Sequence, residues 1–129
     1  MDKQGVIKYL EERADDFYAL SDKIWGNAEI RFKEKESVND YVAFLEKEGF
    51  SVEVGLAGLK TSFKAVWGSG KPVIGFLGEY DALPGLSQKA GVAVKEAIDG
   101  NGNGHGCGHN LLGVGALMGA GGYKHYLET

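Results

Sequence analysis

The residues best suited to chemistry lie in one short stretch, NGNGHGCGHNLLG (101–113). It holds two of the three histidines, His105 and His109, and the one cysteine, Cys107. From Gly100 to Gly108 every second position is glycine. Thiolate and imidazole are the ligands a borderline transition-metal ion prefers. Glycine between them lets the backbone bend until side chains two apart converge on one ion. A bound ion would also lower the thiol's pKa, so Cys107 would enter as thiolate. The spacing alone leaves three readings open. These are metal ligation, a glycine loop in which His and Cys merely alternate, and a nucleophilic Cys107 with a histidine base. The last is the weakest, because nucleophile and base usually meet through the fold and not through sequence adjacency.

A second stretch, GEYDALPGL (78–86), follows an apolar run and carries Glu79 and Asp81. Open α/β sheets place their ligands at the C-terminal ends of such strands. Asp81 is suited to ligate a metal, or to accept a hydrogen bond from a ligating imidazole and so fix its tautomer. It is equally suited to capping a turn in ordinary loop chemistry. Two other glycine motifs are rejected. GSGKP lacks the phosphate-loop pattern, since Ala65 and Pro72 stand where Gly and Ser or Thr are needed. GNGNGHG does not directly follow a strand, as a dinucleotide-binding turn must. His125, near the end of a helix, suits the helix dipole and is assigned no function.

The elements that must position these residues follow from periodicity. Val6, Ile7, Leu10, Ala14, Phe17, Leu20 and Ile24 fall at helical spacing and predict one helix over 3–25, ended by Gly26-Asn27. A second helix is predicted from near Ser37, with the apolar stripe Val38, Tyr41, Val42 and Leu45, Asp40 completing a loose capping box and Gly49 at its C-terminal stop. The period then changes to two, predicting strands in SVEV (51–54), TSFKAVW (61–67) and PVIGFLG (72–78), the last two joined by a hairpin turn at 68–72. PVIGFLG is apolar on both faces, as expected of a central strand covered by helices. Residues 84–109 read as a long functional loop with a helical turn near 90–97. A glycine-rich helix over 110–126, apolar nearly all round, is expected to be buried against close neighbours. The order α-α-β-β-β-loop-α implies a layered α/β/α domain with a mixed, at least partly antiparallel sheet.

Composition narrows the class. The 129 residues are 43% hydrophobic, enough for one domain with a real core. The net charge is −4 with charges interspersed, so no basic tract offers itself to nucleic acid. No apolar run approaches the roughly 20 residues that cross a bilayer. The acidic, amphipathic start does not read as a secretory signal, and a single cysteine fits a reducing cytoplasm. Of the 21 glycines, ten lie between Gly100 and Gly122, so the excess over the usual ~7% is local.

Taken as a pair, GEYDALPGL and GHGCGHNLLG resemble the metal-dependent amidohydrolases of the aminoacylase, hippurate hydrolase and carboxypeptidase clan. In that clan a D-A-L-P stretch is followed by a C-G-H-[DN] segment that opens a helix. IWGNAEIRFKEKES resembles the clan's early N-x-E-x-x-x-x-E-x-x-S segment. The text of residues 70–91 and 103–113 is most similar to the aminobenzoyl-glutamate hydrolase branch. The resemblance covers essentially all of residues 20–120. It implies that Cys107 and His109 are metal ligands in a dinuclear manganese or zinc centre, with Asp81 supporting them from behind. It implies hydrolysis of an amide in N-acyl amino acids, aminobenzoyl-glutamate-like compounds or small dipeptides, in the cytoplasm. His105 matches a motif histidine not counted as a ligand, and Asn110 stands where many members have Asp. The clan's general-base glutamate, usually in a Glu-Glu pair, and its lid domain lie downstream of the C-G-H segment. Residues 1–129 are therefore expected to be the N-terminal part of a longer catalytic chain, inactive when isolated and prone to self-association, with a homodimeric parent. A standalone non-catalytic module that binds a metal or a partner through the glycine loop is the alternative.

Overall fold

The computed structural model describes residues 2–99 and 102–129. These residues form four helices, α1 (Lys3–Glu12), α2 (Ala14–Asn27), α3 (Lys35–Lys47) and α4 (His109–Glu128), and two strands, β1 (Ser51–Val54) and β2 (Phe63–Val66). The α/β class therefore holds. The strands pair antiparallel, with Ser51 opposite Val66 and Val54 opposite Phe63. Helix α2 packs against both α3 and α4, and α3 packs against β1 of the hairpin. The core joins Phe17, Leu20 and Ile24 of α2 to Tyr41 and Leu45 of α3 and Val114 and Leu117 of α4. The helical stripes read from the sequence supply the α2 and α3 residues, while Val114 and Leu117 come from the helix read as apolar nearly all round.

The single helix expected over 3–25 is broken at Arg13, whose φ and ψ of −103° and 4° end α1 and begin α2. No Pro or Gly stands there; tertiary contacts override local propensity. The Arg13 guanidinium reaches Glu48 at the end of α3 in a bidentate pair of 2.6 and 3.0 Å. The bend turns Val6 and Leu10 onto α4 at Gly122. The expected capping box at Ser37 is also corrected, since α3 starts at Lys35 with no side-chain cap from its own N-cap residue. Instead Glu29 accepts from the Glu36 and Ser37 amides at 3.0 and 2.7 Å. Ser37 and Asp40 accept from the Asn27 side-chain amide. Asn27, Glu29 and Ser37 of the N-x-E-x-x-x-x-E-x-x-S segment thus lock the α2–α3 connection.

The largest correction concerns PVIGFLG. The 72–78 segment forms no strand, and the expected hairpin at 68–72 leads into no pairing among the described residues. Val73 and Leu77 are 83% and 93% exposed. Its other face lies on α4, where Phe76 meets Gly119 and Gly78 approaches Gly113 within 3.1 Å of a Cβ's place. Apolarity on both faces signals burial on both sides, and among the described residues only α4 supplies a cover. Beyond the hairpin, sheet-like contact among these residues is limited to single bridges, Ile30 parallel to Ala82 and Leu83 antiparallel to Gly104. The glycines of α4 explain its close approach to 76–79, but one face only is buried; Leu111, Leu112 and Leu127 are exposed. No helical turn forms at 90–97; Lys89 and Glu96 pair there through backbone and side chains.

Candidate metal centre

Two chain segments meet at the N-terminus of α4. The first, residues 79–83, is held by backbone bonds from Ala82 to Glu29 (2.8 Å) and between Leu83 and Gly104 (2.9 and 3.0 Å). The second is a tight turn over 105–108, closed by the Gly108 amide on the His105 carbonyl at 3.1 Å. Gly108 takes a left-handed φ of 83° and leads directly into His109, the first residue of α4. Gly104 has no room for a side chain, since a Cβ would strike the Leu86 carbonyl. A Cβ at Gly106 would lie 2.6 Å from Leu86 Cδ1. The alternating glycines therefore serve close packing against 83–87 as well as the turn.

His109 is the hub. Its Nδ1 lies 2.6 Å from Asp81 Oδ1, and its Nε2 lies 3.2 Å from Glu79 Oε2 and 3.3 Å from Cys107 Sγ. The His109 side chain is only 16% exposed, whereas Glu79 is 64% exposed. A carboxylate only accepts, so Nδ1 carries the hydrogen shared with Asp81 and Nε2 presents its lone pair in the neutral ring. That lone pair faces a carboxylate oxygen and a thiol. A divalent cation at that lone pair would draw on the nitrogen together with the neighbouring thiol or carboxylate. Ligands about 2.0–2.3 Å from a tetrahedral ion stand about 3.3–3.5 Å apart, close to both observed separations. Donor types and spacing fit a divalent transition-metal ion. Among the described residues, Glu79, Asp81 and His109 place ligand atoms within 4.8 Å of one another. Residue types alone do not single out Glu79 as a metal-site residue. Its two-residue offset from Asp81 on an extended segment, which puts both on one face, is the available signal.

The remaining motif residues point elsewhere. His105 Nε2 lies 3.0 Å from the Ile24 carbonyl at the end of α2. A carbonyl only accepts, so Nε2 donates, and Nδ1 is buried without a hydrogen-bond partner. Burial holds the His105 pKa below the ordinary histidine value, against the opposing effect of the Ile24 bond. Asn110 is buried and tied to Ser21 of α2, its side-chain Nδ2 donating to Oγ and its backbone carbonyl accepting from Oγ, each at 3.2 Å. A cleft of about 510 Å³ opens beside His109, Asp81 and Glu79 and is lined also by Arg31, Glu34, Thr61 and Tyr80. Tyr80 donates to the Thr61 carbonyl. Burial, then the charges of Glu34 and Glu29, raises its pKa above the usual tyrosine range.

No family model matches the chain. It is 47% identical over 109 residues to a p-aminobenzoyl-glutamate hydrolase subunit of Escherichia coli, covering 84% of this chain and 23% of the relative. It is 31% identical over 130 residues to Xaa-Arg dipeptidase of Mus musculus, covering 91% and 26%. The Homo sapiens Xaa-Arg dipeptidase is 31% identical over 117 residues, covering 80% and 23%. The chain thus spans about a quarter of the length of the curated relatives it matches. With the paired D-A-L-P and C-G-H segments meeting at one imidazole, the chain belongs to the amidohydrolase and peptidase family that these relatives represent.

Proposed function

We propose that this chain is part of a metal-dependent amidohydrolase, with Cys107 and His109 as metal ligands and Asp81 as the group that orients His109. The observation that carries the reading is the convergence of Cys107 Sγ and Glu79 Oε2 on His109 Nε2, with Asp81 behind the ring. Asp81 accepts the hydrogen bond from Nδ1–H, which fixes the tautomer and the orientation of the ring. Cys107 would offer its sulfur, and Glu79 an oxygen from the cleft side. When bound, a dinuclear manganese or zinc centre supplies Lewis-acid polarisation of an amide carbonyl and a nucleophilic water at neutral pH. The adjoining cleft is where a small substrate would lie, and the relatives' names support aminobenzoyl-glutamate-like compounds or dipeptides as its class.

The complete catalytic unit is larger than these 129 residues, and the isolated stretch hydrolyses no amide. The relatives' fourfold greater length and the uncovered apolar face at Val73 and Leu77 support this. Further ligands and the general-base glutamate then come from elsewhere in the parent, which works in the cytoplasm as a homodimer. Among the described residues no helix is long and apolar enough to cross a membrane. The test is hydrolysis of p-aminobenzoyl-glutamate and of a dipeptide panel by the full-length protein, with and without chelation. Activity should vanish on chelation and return with Mn²⁺ or Zn²⁺. Undiminished hydrolysis by the chelated protein, or by Cys107→Ala, overturns the reading.

A further inference from the structure

Two atoms of His105 have roles that the metal-site reading leaves unexplained: the ring Nε2 and the carbonyl oxygen. The carbonyl accepts the Gly108 amide at 3.1 Å and so begins the turn on which Cys107 sits. The Nε2–H donates to the Ile24 carbonyl at 3.0 Å, across 81 residues of sequence. That carbonyl belongs to the last turn of α2, where Ile24 itself is fully buried in the core. On its other side the turn is held by the Gly104–Leu83 backbone pair, two residues beyond Asp81. The loop is thus fixed at two neighbouring points, one to the segment carrying Asp81 and one to the core helix. Gly106 adds no side-chain contact of its own, so the side chain of His105 is the turn's one tie to α2 among the bonds described.

We propose that His105 is a positioning residue, whose Nε2–H···O=C bond to Ile24 fixes the 105–108 turn and thereby sets Cys107 Sγ against His109 Nε2. This rests on the metal-site reading above. Polar partners one step behind a ligand typically change metal affinity 10–100-fold when removed. Here the partner acts through the backbone of the turn and not through a ligand's ring. A free 105–108 turn lets Cys107 swing away from His109, while His109 stays in place through Asp81.

The experiment is Co²⁺ titration of the full-length protein, reading the near-ultraviolet thiolate-to-cobalt charge-transfer band, which reports sulfur ligation independently of activity. Glutamine places its amide nitrogen where His105 has Nε2, and asparagine places it where His105 has Nδ1. His105→Gln should keep the band and bind within about threefold of the wild type. His105→Asn and His105→Phe should bind Co²⁺ at least tenfold more weakly, on the scale of such partners, with a weakened band and unchanged far-ultraviolet circular dichroism. Should His105→Phe fail to fold, the Gln–Asn pair decides. Equal affinity in His105→Gln and His105→Asn, or wild-type affinity in His105→Phe, overturns the positioning role while leaving the site intact. A wild-type protein with no thiolate band overturns the metal-site reading itself.

Discussion

Gly113 and Gly115 lie two residues apart on α4, and alanine at each should move stability in opposite directions. Gly115 is exposed, and a Cβ there meets nothing within 4 Å. Replacing an exposed mid-helix glycine by alanine stabilises by about 1 kcal/mol. Gly113 is buried, and a Cβ there would lie 2.8 Å from the Glu79 carbonyl oxygen and collide with the Tyr41 hydroxyl. Neither obstacle yields easily. Glu79 is backbone two residues before Asp81, and the Tyr41 ring is packed against Phe63 and Tyr80 with centroids 5.5 and 5.0 Å away. Overpacking of this kind costs about 1–3 kcal/mol. With rigid neighbours the upper end applies, so after the helix-propensity gain Gly113→Ala should destabilise by about 2 kcal/mol. The two variants should then differ by about 3 kcal/mol, or several degrees in melting temperature for each kcal/mol. Urea unfolding followed by circular dichroism measures this directly. Equal shifts of the same sign in both variants would refute the close approach of 79–81 to α4.

Tyr41→Phe removes a buried hydroxyl that has no hydrogen-bond partner, and should be neutral to about 1 kcal/mol stabilising at pH 7. Burial, then the Tyr80 charge, raises the Tyr41 pKa above the ordinary value. Its stabilising contribution is therefore fully present below the unfolded pKa of about 10 and is lost as pH rises beyond it. The advantage of Tyr41→Phe should grow in thermal melts above pH 10; a constant difference from pH 7 to 11 would count against burial of the hydroxyl. Asp81→Ala should weaken metal binding 10–100-fold by calorimetry, with Asp81→Asn retaining part of it as an acceptor to Nδ1–H; wild-type affinity in Asp81→Ala would show that Asp81 does not orient His109. Replacing Val73 and Leu77 together by Lys should reduce self-association of the 129-residue chain in light scattering without lowering its melting temperature, because both side chains are exposed. Unchanged association would place the sticky surface elsewhere.

The helical part of the fold is legible in the sequence because periodicity reports burial directly: Phe17, Leu20, Ile24, Tyr41 and Leu45 fall on one-sided stripes and form the core. Two features are not legible, for different reasons. The break at Arg13 goes with a pairing to Glu48, 35 residues away, which periodicity does not report. PVIGFLG is apolar on both faces, but Val73 and Leu77 are exposed, and periodicity says nothing about where a covering surface would come from. Its expected place in a sheet is not realised among the described residues. At the site, residue types leave the roles of His105, Cys107, His109 and Asp81 open, and the family resemblance narrows them to Cys107, His109 and Asp81. Cys107 Sγ and Asp81 Oδ1 both lie against the His109 ring. Glu79 is visible in the sequence only as a neighbour of Asp81, since its relation to His109 depends on how the 79–83 segment meets α4. The capping role of Glu29 is likewise hidden, because it reaches the Ser37 amide across a connection that only the fold closes.

X-ray absorption at the metal edge of the Zn²⁺- or Mn²⁺-loaded full-length protein reads the ligands themselves. The Zn²⁺ spectrum should show one sulfur at about 2.3 Å together with nitrogen and oxygen at about 2.0–2.2 Å. Cys107→Ser should remove the sulfur shell, and His109→Ala should reduce the imidazole contribution. A wild-type spectrum with no sulfur shell, or one that survives Cys107→Ser, would contradict a metal centre built on Cys107 and His109.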